Sequence, residues 1–132
     1  MESNLKGNVK YPLKEITDKI ISSAIEVHTI LGPGLLERVY EDALSHEFSI
    51  RGIVFERQKE INLLYKGKNV GSHRIDFLVE NEVVLELKAI ESIHRIHEAQ
   101  LITYLKAMNK KIGLIINFNV KMLRDGIKRL II

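Results

Sequence analysis

At 132 residues, 45% of them hydrophobic and 28% charged, the chain has the size and balance of about one globular domain, not of a disordered tract. It has no cysteine, which excludes disulfides and thiolate metal sites, and no apolar run approaches the roughly 20 residues that cross a bilayer. The net charge of +3 is uneven: residues 105–132 carry seven lysines and arginines against Asp125, a local +6, which leaves −3 for residues 1–104.

The opening stretch, MESNLKGNVKYPLK, lacks an apolar segment of the secretory kind, so a cytoplasmic protein with a flexible N-terminal lead over residues 1–12 is expected. From there a single domain is expected to run to residue 132. Leu13, Ile16, Ile20, Ala24, Val27 and Leu31 recur at a helical period. Gly32-Pro33-Gly34 breaks that helix, and Pro33 is placed to start a second one, which runs to about Ile50 and stops at Arg51-Gly52. Strands are predicted over Ile53–Arg57, Glu60–Tyr65, Val70–Val79 and Val83–Ile90, with a turn at Lys66-Gly67-Lys68-Asn69. A third helix spans about Ile93–Met108, with Ser92 as its N-cap. A buried strand, Ile112–Phe118, and a short last segment, Ile127–Ile132, complete a mixed α/β domain.

The stretch RIDFLVENEVVLELKAI, Arg74 to Ile90, places three charges inside two otherwise apolar strands. Charges there are costly unless paired, hydrogen-bonded or bound to a metal. Alternation puts Ile75, Phe77 and Val79 on one face, with Asp76 and Leu78 on the other. In the next strand Val83, Leu85, Leu87 and Ala89 share a face opposite Val84, Glu86 and Lys88. A turn centred on Asn81 pairs residues whose numbers sum to 162, so Asp76 faces Glu86 with Cβ atoms about 5 Å apart. Two opposed carboxylates repel unless a cation lies between them, and magnesium suits hard oxygen ligands. Lys88, on the same face, is either the group that meets an anion there or a salt-bridge partner of Asp76 or Glu86.

Gly34, Glu37 and Tyr40 form a G-x-x-E-x-x-Y pattern, and Glu37, Tyr40, Glu41, Leu44 and Phe48 share a largely apolar helical stripe. Glu37 therefore either points inward or serves as a first-turn dipole partner at the surface. Gln100 and Tyr104 stack on one side of the third helix, one turn after His97. Taken singly, Tyr104 reads as core and Gln100 as surface.

Asp76, nine residues, Glu86-Leu87-Lys88 and then a helix with Gln100-x-x-x-Tyr104 together resemble the PD-(D/E)xK nuclease superfamily. The Q-x-x-x-Y element is similar to that of its RecB-like exonucleases. With LGPGLLERVY and GLIINFNV added, the chain resembles the GxxExxY proteins over residues 13–130. Ile75 stands where the family has the proline of its motif, a position that supplies no ligand.

The resemblance implies a restriction-endonuclease-like core, a central mixed β-sheet flanked by helices, and magnesium-dependent cleavage of a phosphodiester, with manganese able to substitute; the nucleic acid is expected to be DNA. It implies metal ligation by Asp76, Glu86, the Leu87 carbonyl and Glu37. Lys88 is implied to orient the hydroxide or stabilise the phosphate, with Gln100 and Tyr104 bracing the site or touching the nucleic-acid backbone. His28 is a further candidate ligand, read equally well as a packing histidine; His46 and His73 are expected at the surface. The basic cluster Lys110, Lys111, Lys121, Arg124, Lys128 and Arg129 is read as a nucleic-acid track or as a solvated surface. No membrane partner is expected, and the small size leaves room for a homodimer or a partner protein. The competing class is a non-catalytic nucleic-acid-binding or protein-interaction module on the same fold.

Overall fold

The computed structural model describes residues 13–132; the expected N-terminal lead lies outside the described residues. Helix α1 (Lys14–Leu31) turns through Gly32-Pro33-Gly34 into α2 (Glu37–Ile50). Three strands follow: β1 (Phe55–Tyr65), β2 (Lys68–Val79) and β3 (Val83–Lys88). Helix α3 (Arg95–Met108), β4 (Ile112–Asn117) and β5 (Ile127–Ile131) complete the chain. The sheet is mixed and five-stranded in the order β1-β2-β3-β4-β5, with β3 and β4 parallel and the other neighbours antiparallel.

Helix α2 begins four residues later than Pro33 predicts. Gly32 and Gly34 both take positive φ (74° and 96°), which bends the chain before a helix can start. Tyr40 fixes the bend, its hydroxyl donating to the Gly32 carbonyl (2.5 Å) and accepting from the Leu35 N–H (3.1 Å). At the other end of α2 the predicted glycine stop is present: Ile53 N–H reaches Phe48 O and Gly52 N–H reaches Ser49 O, the paired bonds of a Schellman closure. In α3 the cap is His94 rather than Ser92, because the His97 side chain turns back to accept from the His94 N–H (2.9 Å).

The helices cover opposite faces of the sheet. Under α1 and α2 lie Ile20, Val27, Tyr40, Leu44 and Phe48 with Phe77, Leu85, Leu114 and Phe118. Tyr40 stacks on Phe118 at 4.5 Å, and Phe48 meets Phe77 edge-on at 5.4 Å. Under α3 the core is smaller: Ile61, Ile75, Leu78 and Val84 with Leu101, Leu105 and Ile115.

Two strand predictions need correction. The two strands expected over Ile53–Arg57 and Glu60–Tyr65 are one, Phe55–Tyr65, continuous through Gln58, which holds φ at +54°. Ile75 does not share a face with Phe77; it packs under α3 with Leu78, while Phe77 packs under α2. The alternation flips at Gln58 in β1 and at Asp76 opposite it, since Arg57↔Phe77 and Lys59↔Ile75 pair on either side. That flip places His73, the partner of Ile61, on the α3 face.

Candidate active site

The predicted register holds: Phe77↔Leu85, Leu78↔Val84 and Val79↔Val83 all sum to 162. Beyond Phe77 the ladder opens, and two carboxylates take the place of its next rungs. Glu86 Oε2 accepts from the Asp76 N–H (2.9 Å), and Asp76 Oδ2 accepts from the Leu87 N–H (2.7 Å). Each acid thus satisfies a backbone donor that the open strand would orphan.

The remaining oxygens have partners too. His73 Nε2 lies 3.1 Å from Glu86 Oε1, and the His73 ring stacks on Tyr104 with centroids 4.0 Å apart. The Gln58 amide donates to Asp76 Oδ1 (3.1 Å) and also to Glu41 Oε1 (2.9 Å). Glu41, buried on α2, is held in turn by Arg57 Nε at 2.6 Å, and Arg57 also pairs with Asp42.

Burial first, and then the charge of Glu86, push the Asp76 carboxyl from its usual 3.8 up to about 7. The Leu87 N–H opposes that shift without cancelling it. Glu37 is raised as well, by desolvation chiefly and by Glu86 and Glu41, with Lys88 working against them. Its side chain is nonetheless exposed in the first turn of α2. The inward orientation expected from the apolar stripe is therefore not adopted: Tyr40, Glu41, Leu44 and Phe48 face the core, and Glu37 sits at the rim.

The structure brings Asp76 and Glu86 together without adding Glu37 as a third member. Among the described residues no three His, Asp or Glu side chains are placed to hold a metal. The donor chemistry of the pair still fits a hard divalent cation. Two carboxylates share one opening, Asp76 is disfavoured as an anion there, and among the described residues the base paired with either acid is His73. Leu87 meets Asp76 through its N–H.

Lys88 forms no ion pair among the described residues, so the salt bridge to Asp76 or Glu86 is not made. Its backbone is fixed by the Phe118 N–H on its carbonyl (2.9 Å). Two residues on, buried Asn117 clamps Ile90, accepting from its N–H and donating to its carbonyl. Lys88 half-emerges from the sheet within electrostatic reach of His97, whose pKa is lowered by desolvation, then by Lys88 and His94. Gln100 is exposed on α3, and Tyr104 is half-buried against His73.

His28 is structural: its Nε2 bonds the Val120 carbonyl at 2.8 Å beneath the loop after β4. That loop brings Lys121 and Arg124 to the end of the sheet where Lys88 pairs with Asn117, beside a hollow of about 440 Å³ that His28 also lines. Lys110 and Lys111 precede β4 and lie at the opposite end, where Val83 pairs with Ile112. Arg129 turns to α1 and donates to Thr17 Oγ1 (2.9 Å), while Lys128, opposite Ile115, faces the α3 side. The basic segment is thus divided between two ends and two faces because β4 and β5 cross the sheet in opposite directions.

His73, Gln58, Glu41 and Arg57 belong to this network without a site role expected for any of them: His73 is half-buried on Glu86 rather than at the expected surface position, and Glu41 is expected only as part of the helical stripe. The signal that points to it in the sequence is the gap between the two expected strands at Gln58-Lys59.

A mixed sheet with helices on both faces and an acidic pair at an opened strand edge defines an α/β protein with a restriction-endonuclease-like core. A family model of the PD-(D/E)XK nuclease superfamily matches residues 14–130, and the chain belongs to that superfamily. Its members are usually nucleases and generally use Mg2+ or a similar divalent metal. No functionally curated protein matches the chain.

Proposed function

We propose that the chain is a cytoplasmic, metal-dependent nuclease of the GxxExxY group that hydrolyses phosphodiesters in DNA. The observation carrying this reading is the opened end of the β2–β3 ladder, where Asp76 and Glu86 oppose each other and Asp76 is held up to about 7. A carboxylate pair so short of positive charge suits Mg2+, with Mn2+ as a substitute. Asp76 and Glu86 would hold the ion with the Leu87 carbonyl, and Glu37 would reach it or its water from the rim. When bound, the ion supplies Lewis-acid activation of water and neutralises charge on the phosphate.

Lys88 supports the reading because it makes no ion pair among the described residues, follows Glu86 by two positions on β3, and lies close enough to lower the Glu37 pKa. It stabilises the charge that builds on the phosphate oxygens as the bond breaks. Tyr104 braces the site through His73, and Gln100 meets the nucleic-acid backbone from the exposed side of α3. Lys121 and Arg124, at the same end of the sheet, contact phosphates, and Lys128 on the α3 face and Arg129 on the α1 face add to the positive field around them. Lys110 and Lys111 add long-range attraction. A second copy or a partner protein supplies the further grip that so small a domain needs on a duplex.

One observation favours the alternative, a non-catalytic nucleic-acid-binding or protein-interaction module. All four oxygens of the acidic pair already have protein hydrogen-bond partners. Single-turnover assays on labelled single- and double-stranded DNA and RNA, with Mg2+ or Mn2+, decide between the two. Wild type should cut DNA, and Lys88→Met should lose about 10²–10³-fold in rate with binding retained. A wild type that binds nucleic acid and cuts none of the substrates gives the alternative.

A further inference from the structure

Gln58 is an outlier in its own strand. Its φ of +54° lies in the left-handed region, which a side-chain-bearing residue seldom enters and which glycine or asparagine occupies at lower cost. The position is exposed, so no packing demand selects a glutamine there. Ladder pairing continues in register on both sides, Arg57 with Phe77 and Lys59 with Ile75, so the conformation does not absorb an inserted residue at this point. What it does accomplish is local. It flips the alternation of β1 opposite Asp76 and turns the amide toward Asp76 on β2 and Glu41 on α2. There a single Nε2 donates to Asp76 Oδ1 (3.1 Å) and Glu41 Oε1 (2.9 Å), using both its hydrogens on carboxylates.

We infer that Gln58 is a strained positioning residue that fixes the Asp76 carboxylate and ties it to Glu41 on α2. Strain held at one residue where the surroundings over-determine it is a recurrent mark of a functional site. The geometry accounts for the choice of side chain. Glycine would relax the backbone but lose the amide, and a shorter amide would not span from β1 to both acids. The Arg57 guanidinium anchors the far side of the same network by holding Glu41 Oε2 at 2.6 Å, so the amide has a fixed partner to pull against. With Oδ2 already on the Leu87 N–H and Oδ1 on Gln58, the Asp76 carboxylate has both its rotation and its tilt set. That preorganisation of a ligand by its hydrogen-bond partner is what this inference adds to the proposed function, on which its metal-binding consequence rests.

The test compares Gln58→Gly and Gln58→Ala with wild type, measuring Tm without metal and Mn2+ affinity by titration. Both variants should bind Mn2+ about 10- to 100-fold more weakly, as expected for loss of a partner that orients a ligand. Only the glycine variant should keep or exceed the wild-type Tm, since it alone relieves the left-handed backbone. Unchanged Mn2+ affinity in Gln58→Gly overturns the inference. A second arm separates it from the proposed function. If wild type neither binds Mn2+ nor cuts DNA, that function fails, and the positioning role is decided by a Tm cycle of Gln58→Gly, Asp76→Asn and the double variant. Non-additive shifts uphold the contact, and additive shifts overturn it.

Discussion

The two ends of the β2–β3 pair are built from neighbouring residues and do opposite things. Near the turn, Phe77, Leu78 and Val79 pair with Leu85, Val84 and Val83 in unbroken register, every side chain buried. One residue further on, the ladder opens and Asp76 and Glu86 fill it with carboxylates that bond each other's strand. The first end contributes burial to the core; the second keeps charge where burial penalises it. A closed apolar pairing is what lets the adjacent rungs be given up to an acidic pair, since the register is already fixed before the strands part.

The largest expected effect breaks the apolar end. Phe48 meets both Phe55 and Phe77 beneath this pair, and Phe48→Ala should cost about 3–5 kcal/mol in a denaturant titration. The rate of any metal-dependent cleavage, per folded molecule, should hold. A loss of rate with the fold intact would mean that the two ends are not separable.

A smaller effect reads the charged end through pH. In the metal-free protein the Asp76 carboxyl sits at about 7 against its usual 3.8. The folded state therefore holds the proton where the unfolded chain has released it. Stability from this group is undiminished below pH ~4, falls as pH rises towards 7, and stays low above that. Relative to Asp76→Asn, wild-type Tm should fall by roughly 5–10 °C between pH 4 and 8, for a penalty of about 2 kcal/mol. Parallel Tm profiles for the two proteins would remove the strain from the acidic pair.

The smallest effect concerns the basic residues. Charge reversal at Lys121 and Arg124, on the Lys88 end of the sheet, should lower the salt slope of DNA binding by about 2. Reversal at Lys110 and Lys111, on the far end, should change it by less than 1. Equal changes from both pairs would make the basic segment a diffuse field with no directed track.

Much of this comparison was legible in the residues, and the reasons for the misses are specific. Apolar spacing together with the proline, glycine and cap signals marks the three helices of the described residues, and the turn centred on Asn81 gives the register that opposes Asp76 to Glu86. What failed was the assumption that a strand alternates without interruption. Nothing in FERQKEI marks a left-handed glutamine, so plain alternation places Ile75 beside Phe77 and leaves His73 at the surface, whereas the flip at Asp76 turns it onto Glu86 and Tyr104. The apolar stripe that suggests an inward Glu37 reaches only to Tyr40, one turn into the helix, and Glu37 takes the first-turn surface position instead. The lysines and arginines of residues 105–132 looked like one cluster because proximity along the chain hides two crossings of the sheet.

The most direct measurement of the acidic pair is a thermal unfolding series at pH 8 with and without millimolar Mg2+, on wild type, Asp76→Asn and Glu86→Gln. A cation held between the two carboxylates binds the folded protein alone, so wild-type Tm should rise by several degrees. Both variants should lose that rise, and metal-free Asp76→Asn should melt at or above wild type as the repulsion is relieved. Identical wild-type melting with and without Mg2+ would contradict the account and leave Asp76 and Glu86 as a hydrogen-bonded clasp between two strands.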